Sequence, residues 1–210
     1  MLASAVLVGG CASRTVTLTL NIAYDEAAAS RGPLSSVEAR RIQVASLTDK
    51  LDVTTQIGYV NPELVKAKVH TVSSRPVLEI VRDALVAELE KNGHVVNSDA
   101  PDAVLSADIN EFWFRASRSG IATGVVSMSL TVTDGRDGRP LLTRNYRRVF
   151  PWRGAESGLC PFGFDLFADL FEKHKRYWQC VMNAAVQRMM RDLATDQKLV
   201  EALKRLPASR

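Results

Sequence analysis

Ser73-Ser74-Arg75-Pro76, followed by Val77-Leu-Glu-Ile-Val-Arg-Asp-Ala-Leu-Val-Ala-Glu-Leu-Glu-Lys-Asn-Gly93, is the stretch on which the fold turns. Val77, Ile80, Val81, Ala84, Leu85 and Leu89 recur at helical spacing and define one apolar face. Arg82, Glu88, Glu90 and Lys91 read as lying mainly off that stripe, with Glu88 and Glu90 on a solvated surface. The two serines are cap candidates, Pro76 fits the first turn, and Gly93 can close the helix in a left-handed conformation. A helix is predicted over 76–92, after which His94-Val-Val-Asn97 sends the chain back as a strand.

Strands are expected on both sides of this helix. Arg41 to Leu47 alternates with period two, and Thr48-Asp49-Lys50 ends it. Ile57-Gly58-Tyr59 and Asn61-Pro62 read as a loop, and Lys66 to Val72 as a short second strand. After the turn Ala100-Pro101-Asp102, a long strand spans Ala103 to Arg115, with Leu105, Ala107 and Ile109 on one face. Its pattern then slips: Glu111 takes the next apolar place, while Phe112 and Phe114 sit on the other parity. A β-bulge near Asn110–Glu111 would restore the register. Val126, Met128, Leu130 and Val132 alternate with hydroxyl residues, Asp134-Gly-Arg-Asp-Gly138 is a hairpin turn, and Leu141 to Phe150 returns as the partner strand.

Toward the C-terminus, Trp178, Val181, Met182, Ala185, Val186, Met189 and Leu193 predict a second amphipathic helix. Thr195 can cap a short last helix carrying Leu199, Val200, Leu203 and Leu206, which Pro207 stops. Upstream, Thr15 to Leu20 could pair as a lead strand, and 25–36 reads as loop or tether. The predicted class is α+β: a two-layer sandwich, its antiparallel or mixed sheet of about four to five strands covered on one face by two main helices.

Composition narrows the function classes. The chain has 210 residues, 46% hydrophobic and 24% charged, enough for one domain with a real core. No run of 18 apolar residues occurs, so no membrane-spanning helix is expected. The net charge of +4 is too small to suggest nucleic acid, and no such partner is expected. The charge is uneven: residues 139–210 carry 14 basic and 7 acidic groups, against 13 and 16 in residues 1–138.

The N-terminus speaks to location. Met1-Leu-Ala-Ser-Ala-Val-Leu-Val-Gly-Gly-Cys11 has the uncharged apolar run and small residues of a secretory signal. Val8-Gly9-Gly10-Cys11 resembles the lipobox of bacterial lipoproteins, although the basic leading region of that pattern is missing. The resemblance implies a signal peptide over 1–10 and a lipid on Cys11, with 11–40 as anchor, tether and lead strand and 41–210 as a single domain. Ala12, rather than Asp, follows the cysteine, which implies the periplasmic face of the outer membrane, with the acyl chains as the contact. The other reading of 1–11 is a short buried strand ending in a core cysteine.

Cys160 and Cys180 either pair, as leftover cysteines in an oxidising compartment usually do, or remain two thiols with Cys180 on a helix face. If one helix ran from Asp165 to Leu193, Cys180 would lie ~22 Å along it, whereas 161–164 reach back only ~14 Å. On that reading a bridge requires a break near Glu172–Lys175.

Catalytic arrangements are hard to find. Gly154-Ala-Glu-Ser-Gly158 has the wrong order for a nucleophile elbow, and no phosphate-binding loop occurs. His70, His94 and His174 are too scattered for a metal site, and His94 reads as a polar strand-start residue. No catalytic, cofactor or metal residue is assigned. Asp108 and Glu111, polar positions on an apolar strand, are the best acid candidates, with a wet sheet face or a bulge as the plainer account. An enzyme acting on envelope polymers would need such a pair ~5–9 Å apart in a pocket. Arg144, Arg147 and Arg148 form either an anion-binding patch or a guarded strand edge. Phe162, Phe164, Phe167 and Phe171, beside Lys173, Lys175 and Arg176, are either core or a candidate partner surface.

The order of elements, with Thr48-Asp49, Ile57-Gly58, the helix ending Asn92-Gly93-His94, Asp102 to Ile109, Met128 to Asp134 and Gly138, resembles the YajG-type family of outer-membrane lipoproteins. LptE-like factors and auxiliary lipoproteins of ABC-type transporters look similar at this level. The resemblance covers about 41–150 and the final helices, and 153–174 looks like an insertion that a Cys160–Cys180 bridge would staple down. It implies a non-catalytic, lipid-anchored periplasmic module binding an envelope protein, lipid or glycan. Membership of a larger envelope transport or secretion complex is the alternative.

Overall fold

The computed structural model describes residues 15–27, 31–51, 56–60, 68–116, 122–152, 160 and 170–207. Eight strands form one mixed sheet: β1 (Thr15–Leu20), β2 (Arg41–Asp49), β3 (Gln56–Val60), β4 (Lys68–Ser73), β5 (Val95–Val96), β6 (Ala103–Ala116), β7 (Ala122–Asp134) and β8 (Pro140–Trp152). Three α-helices accompany them: α1 (Val77–Lys91), α2 (Leu170–Thr195) and α3 (Gln197–Lys204).

β6 organises the sheet. Antiparallel β7 lies along one of its edges and hands on to β8. Two parallel strands share its other edge, β2 beside Ala103–Ile109 and β3 beside Phe114–Ala116. β2 continues to β5, and β3 continues through β4 to β1. The sheet is therefore larger than the four to five strands expected. β3 and β5 are short, and backbone pairing to the longer β6 and β2 holds them; β1, the possible lead strand of the sequence, joins through β4. The supposed loop at Ile57–Tyr59 is strand β3, and its glycine has a reason. A Cβ on Gly58 would stand 2.2 Å from the Phe114 carbonyl oxygen, so only glycine lets β3 close on β6.

The anticipated bulge is present. Register along β6 and β7 shifts between Ile109 and Glu111. Ala103, Leu105, Ala107 and Ile109 point into the core before the shift, and Phe112, Phe114 and Ala116 after it. The extra residue keeps Glu111 out of the core.

α1 follows its predicted stripe. Val77, Ile80, Val81, Ala84, Leu85 and Leu89 are all buried. Gly93, at φ +92°, closes the helix: its N–H donates to the Glu90 carbonyl and that of His94 to the Leu89 carbonyl, a Schellman arrangement. The start differs from expectation. Pro76 is the N-cap, and no serine side chain caps the helix. α3 is capped by Asp196, whose carboxylate accepts from the Lys198 N–H, and not by Thr195, whose hydroxyl donates to the Arg191 carbonyl. The inward residues of α1, α2 and α3 join those of the sheet in one core.

Candidate functional site

Cys11 lies outside the described residues, but the chain that follows it is well placed. β1 begins at Thr15 and pairs in parallel with β4. Beyond Leu20 an extended segment runs between α1 and α2. The N–H groups of Asn21, Ala23 and Asp25 donate to the side-chain oxygens of Gln179, Asn183 and Gln187, at 3.1, 3.1 and 3.3 Å. Alternate residues of an extended strand thus meet side chains four apart on α2, while Ile22 is buried. The chain then crosses to the far end of the helices. The Gly32 N–H donates to Asn92 Oδ1 at 3.0 Å, and Leu34 is fully buried in a 3₁₀ turn at Pro33–Ser36. Composition and hydropathy give no sign of this strap. Its one signal is the i, i+4, i+8 stripe of amides on α2. Replacing Gln179, Asn183 and Gln187 together by alanine is expected to cost about 2 kcal/mol. The same variant should speed hydrogen exchange at amides 21, 23 and 25, read by mass spectrometry, and leave the amides of β6 protected.

Tyr24 ties the strap to α1. Its hydroxyl donates to the Glu88 carboxylate, which also accepts from Asn92 Nδ2 at 3.1 Å. Glu88 is 2% exposed, so the solvated surface expected for it is wrong. The position continues the stripe through Val81 and Ala84, and the carboxylate is accommodated there because two donors meet it. Burial pushes its pKa above the ordinary carboxylate value, and also raises that of the Tyr24 hydroxyl, keeping the phenol a donor. The folded form therefore holds the Glu88 proton to higher pH than the unfolded chain does. Stability from this group falls as pH rises from the ordinary carboxylate range through the raised folded value. Glu88→Gln should remove that slope and raise the melting temperature at pH 7 relative to wild type, measured by thermal melts from pH 4 to 8.

His94 is likewise buried, not a surface strand-start residue. Its Nδ1 accepts the Arg40 N–H at 3.2 Å, and burial lowers its pKa. The Arg40 side chain donates to the carbonyls of Leu206 and Pro207, fixing the C-terminal end of α3.

The basic end is largely self-neutralised along β8. Arg144 pairs with Asp196 at 3.0 Å, Arg147 with Glu111 and Arg148 with Asp192. The Tyr146 hydroxyl donates to Asp196 at 2.9 Å. A shallow groove of about 450 Å³ runs between these residues and the α2–α3 junction. Asp108 accepts from Thr48 and pairs with Lys50 at 2.8 Å. Asp108 and Glu111 both stand on the sheet face away from the helices, in contact with solvent. Hydrogen bonds from Lys50 and Thr48 lower the Asp108 pKa, and one from Arg147 lowers that of Glu111. Neither is poised to hold a proton as a general acid. No group of three or more metal-ligating side chains occurs among the described residues.

Cys160 and Cys180 form a disulfide, with Cα atoms 5.7 Å apart. No helix break accompanies it. α2 starts at Leu170, five residues later than assumed, and runs unbroken to Thr195. Cys180 is then roughly 15 Å along the helix, and residues 161–169 can reach back ~30 Å. Of the candidate partner surface, Phe162, Phe164 and Phe167 lie outside the described residues, as do the side chains of Phe171 and Lys173. Lys175 is half-buried and Arg176 exposed, both on the second turn of α2.

Both ends of the disulfide belong to one end of the molecule. Val16, Val69, Val60, Ala116, Ala122 and Trp152 form a continuous cross-strand row through β1, β4, β3, β6, β7 and β8. β1 starts at this row, and β8 leaves from it toward Cys160. The Trp178 ring packs on Phe114 with centroids 5.5 Å apart, bringing the beginning of α2 to the same end.

The arrangement defines an open-faced α+β sheet protein whose N-terminal strand is built into the fold. No family model and no curated protein matches the chain. Among solved structures it is similar to a DUF330 protein from Xanthomonas campestris, with 11% identity over 86% of this chain and 94% of that one, at a TM-score of 0.49. It is also similar to PelC of Paraburkholderia phytofirmans, crystallised as a dodecamer (12% identity, 84% and 93% covered, TM-score 0.41). A third is a minor lipoprotein from Acinetobacter baumannii (12%, 75% and 92%, TM-score 0.37). None of the three carries a YajG or LptE name, and likeness of this degree transfers no function. No helix among the described residues is long and apolar enough to cross a membrane.

Proposed function

We propose that this chain is a lipid-anchored module of the bacterial envelope, held by acyl chains on Cys11 at the periplasmic face of the outer membrane, and that it acts by binding rather than by catalysis. The observation that carries the reading is the run Val8-Gly9-Gly10-Cys11, placed four residues before the first strand of the folded domain. A cysteine in such a run is the expected site of acylation, and multiple acyl chains hold a domain stably on a bilayer. The non-catalytic part is supported by Asp108 and Glu111, each held by a cation on a wet sheet face.

The test is expression of the full chain in a bacterial host fed an alkynyl fatty acid. Label should enter the wild type and vanish in Cys11→Ser, which should also leave the membrane fraction. A wild type without label overturns the proposal. The second reading, a subunit of a larger complex, is favoured by β8, a 13-residue strand whose outer edge pairs with no strand among the described residues. Crosslinking from Val149, exposed on that strand, to another protein in membranes would support it.

A further inference from the structure

We infer that the end of the sheet marked by Arg115 and Arg176 rests against the phosphate-bearing headgroups of the bilayer, as a fixed orientation of the anchored domain. The inference rests on the acylation of Cys11 proposed above. Three residues, Ala12 to Arg14, separate that cysteine from Thr15. Fully extended, this tether spans no more than ~14 Å. The domain is far longer than its leash: β6, with 14 residues, is roughly 45 Å end to end. A leash a third of that length keeps the end from which it emerges close to the membrane, while the hairpin at Asp134–Gly138 lies a full strand length further along the domain.

The end from which the leash emerges is the Val16-to-Trp152 row. Arg115 lies one residue before Ala116 of that row, and Arg176 two residues before Trp178, which packs on Phe114. Both are exposed, and neither guanidinium has an ion-pair or hydrogen-bond partner among the described residues. The arginines of β8 differ, each being matched by a carboxylate. Unmatched guanidinium groups beside a lipid anchor are complementary to phosphate, which they bind in a planar, bidentate fashion. Each cation close to an anionic surface strengthens binding about fivefold, and acyl anchors commonly work with such a second, electrostatic signal.

The test uses full-length acylated protein in vesicles of phosphatidylethanolamine and phosphatidylglycerol. Photoreactive benzoylphenylalanine replaces either Pro151, exposed beside the row, or Asp137, exposed in the far hairpin. Lipid adducts are expected at position 151 and not at 137. The mass of the N-terminal peptide from the same sample reports acylation. Acylated protein with equal adducts at both positions overturns the orientation and leaves the anchor standing; unacylated protein overturns both. Separately, full-length Cys11→Ser should bind phosphatidylglycerol vesicles weakly and in a salt-sensitive way. Charge reversal by R115E with R176E should lower that binding at least about twentyfold. Binding unchanged by the reversal overturns the role of the two arginines.

Discussion

Phe112→Ala is expected to lower unfolding stability by about 4 kcal/mol, a third or more of what a domain of this kind usually has. Phe112 is 1% exposed and is the first inward residue after the bulge on β6. It is paired with Val126 of β7 and shares its inward face with Phe114, which packs on Trp178 of α2, so the surroundings cannot fully collapse into the space. The loss is then the transfer free energy of the ring plus the unfilled cavity. Urea titration followed by far-UV circular dichroism would read it as a lower midpoint with little change in slope. Trp113→Ala is the control. Trp113 lies on the opposite face of the same strand, half-exposed, with its indole N–H directed at Glu111. It should cost well under half as much. A larger loss from Trp113→Ala than from Phe112→Ala would mean that the strand is in the other register and that no bulge exists.

The second large effect concerns the disulfide. Replacing Cys160 and Cys180 together by serine is expected to cost about 3 kcal/mol, the entropy of closing a loop of roughly 20 residues in the unfolded chain. Dithiothreitol should shift the wild-type urea midpoint by the same amount and leave the double variant where it is. The bond fastens the chain leaving β8 to the third turn of α2, so its removal should raise hydrogen exchange first at the beginning of that helix. A wild type indifferent to reductant would mean that the two sulfurs are not joined in solution.

Much of the frame could be read directly from residue patterns. The α1 stripe, its closing glycine, the slipped parity at Asn110–Glu111 and the hairpin before Pro140 are local features, written in spacing and turn chemistry. The unread parts depend on partners distant in sequence. Glu88 reads as solvated and off the stripe on residue type, whereas the structure continues the buried face through it; the deciding fact is Tyr24, 64 residues away. The arginines of β8 read as a basic patch because their carboxylates, Asp196, Glu111 and Asp192, lie on other elements, distant in sequence. β3 resembled a loop because glycine there signals close backbone approach as readily as a turn. Clustering carries the least information: four phenylalanines within ten residues do not reveal which of them face inward.

The amide strap along α2 also sets its own length. Two residues of extended chain advance about 6.7 Å, whereas four residues of α-helix advance 6.0 Å. Strand and helix therefore behave like the two scales of a vernier, in step at one rung and drifting by about 0.7 Å at each rung after it. Gln179 and Asn183 accept at 3.1 Å, and Gln187 has already lengthened to 3.3 Å. A fourth rung would fall at position 191, where the drift has grown to about 2 Å, beyond what a hydrogen bond tolerates. Arginine occupies that position, and the chain turns away at Glu26–Ala27. Extending the grip with Arg191→Gln should add no stability: the two pitches no longer match there, and the exchange also removes a guanidinium whose charge favours the Glu88 carboxylate.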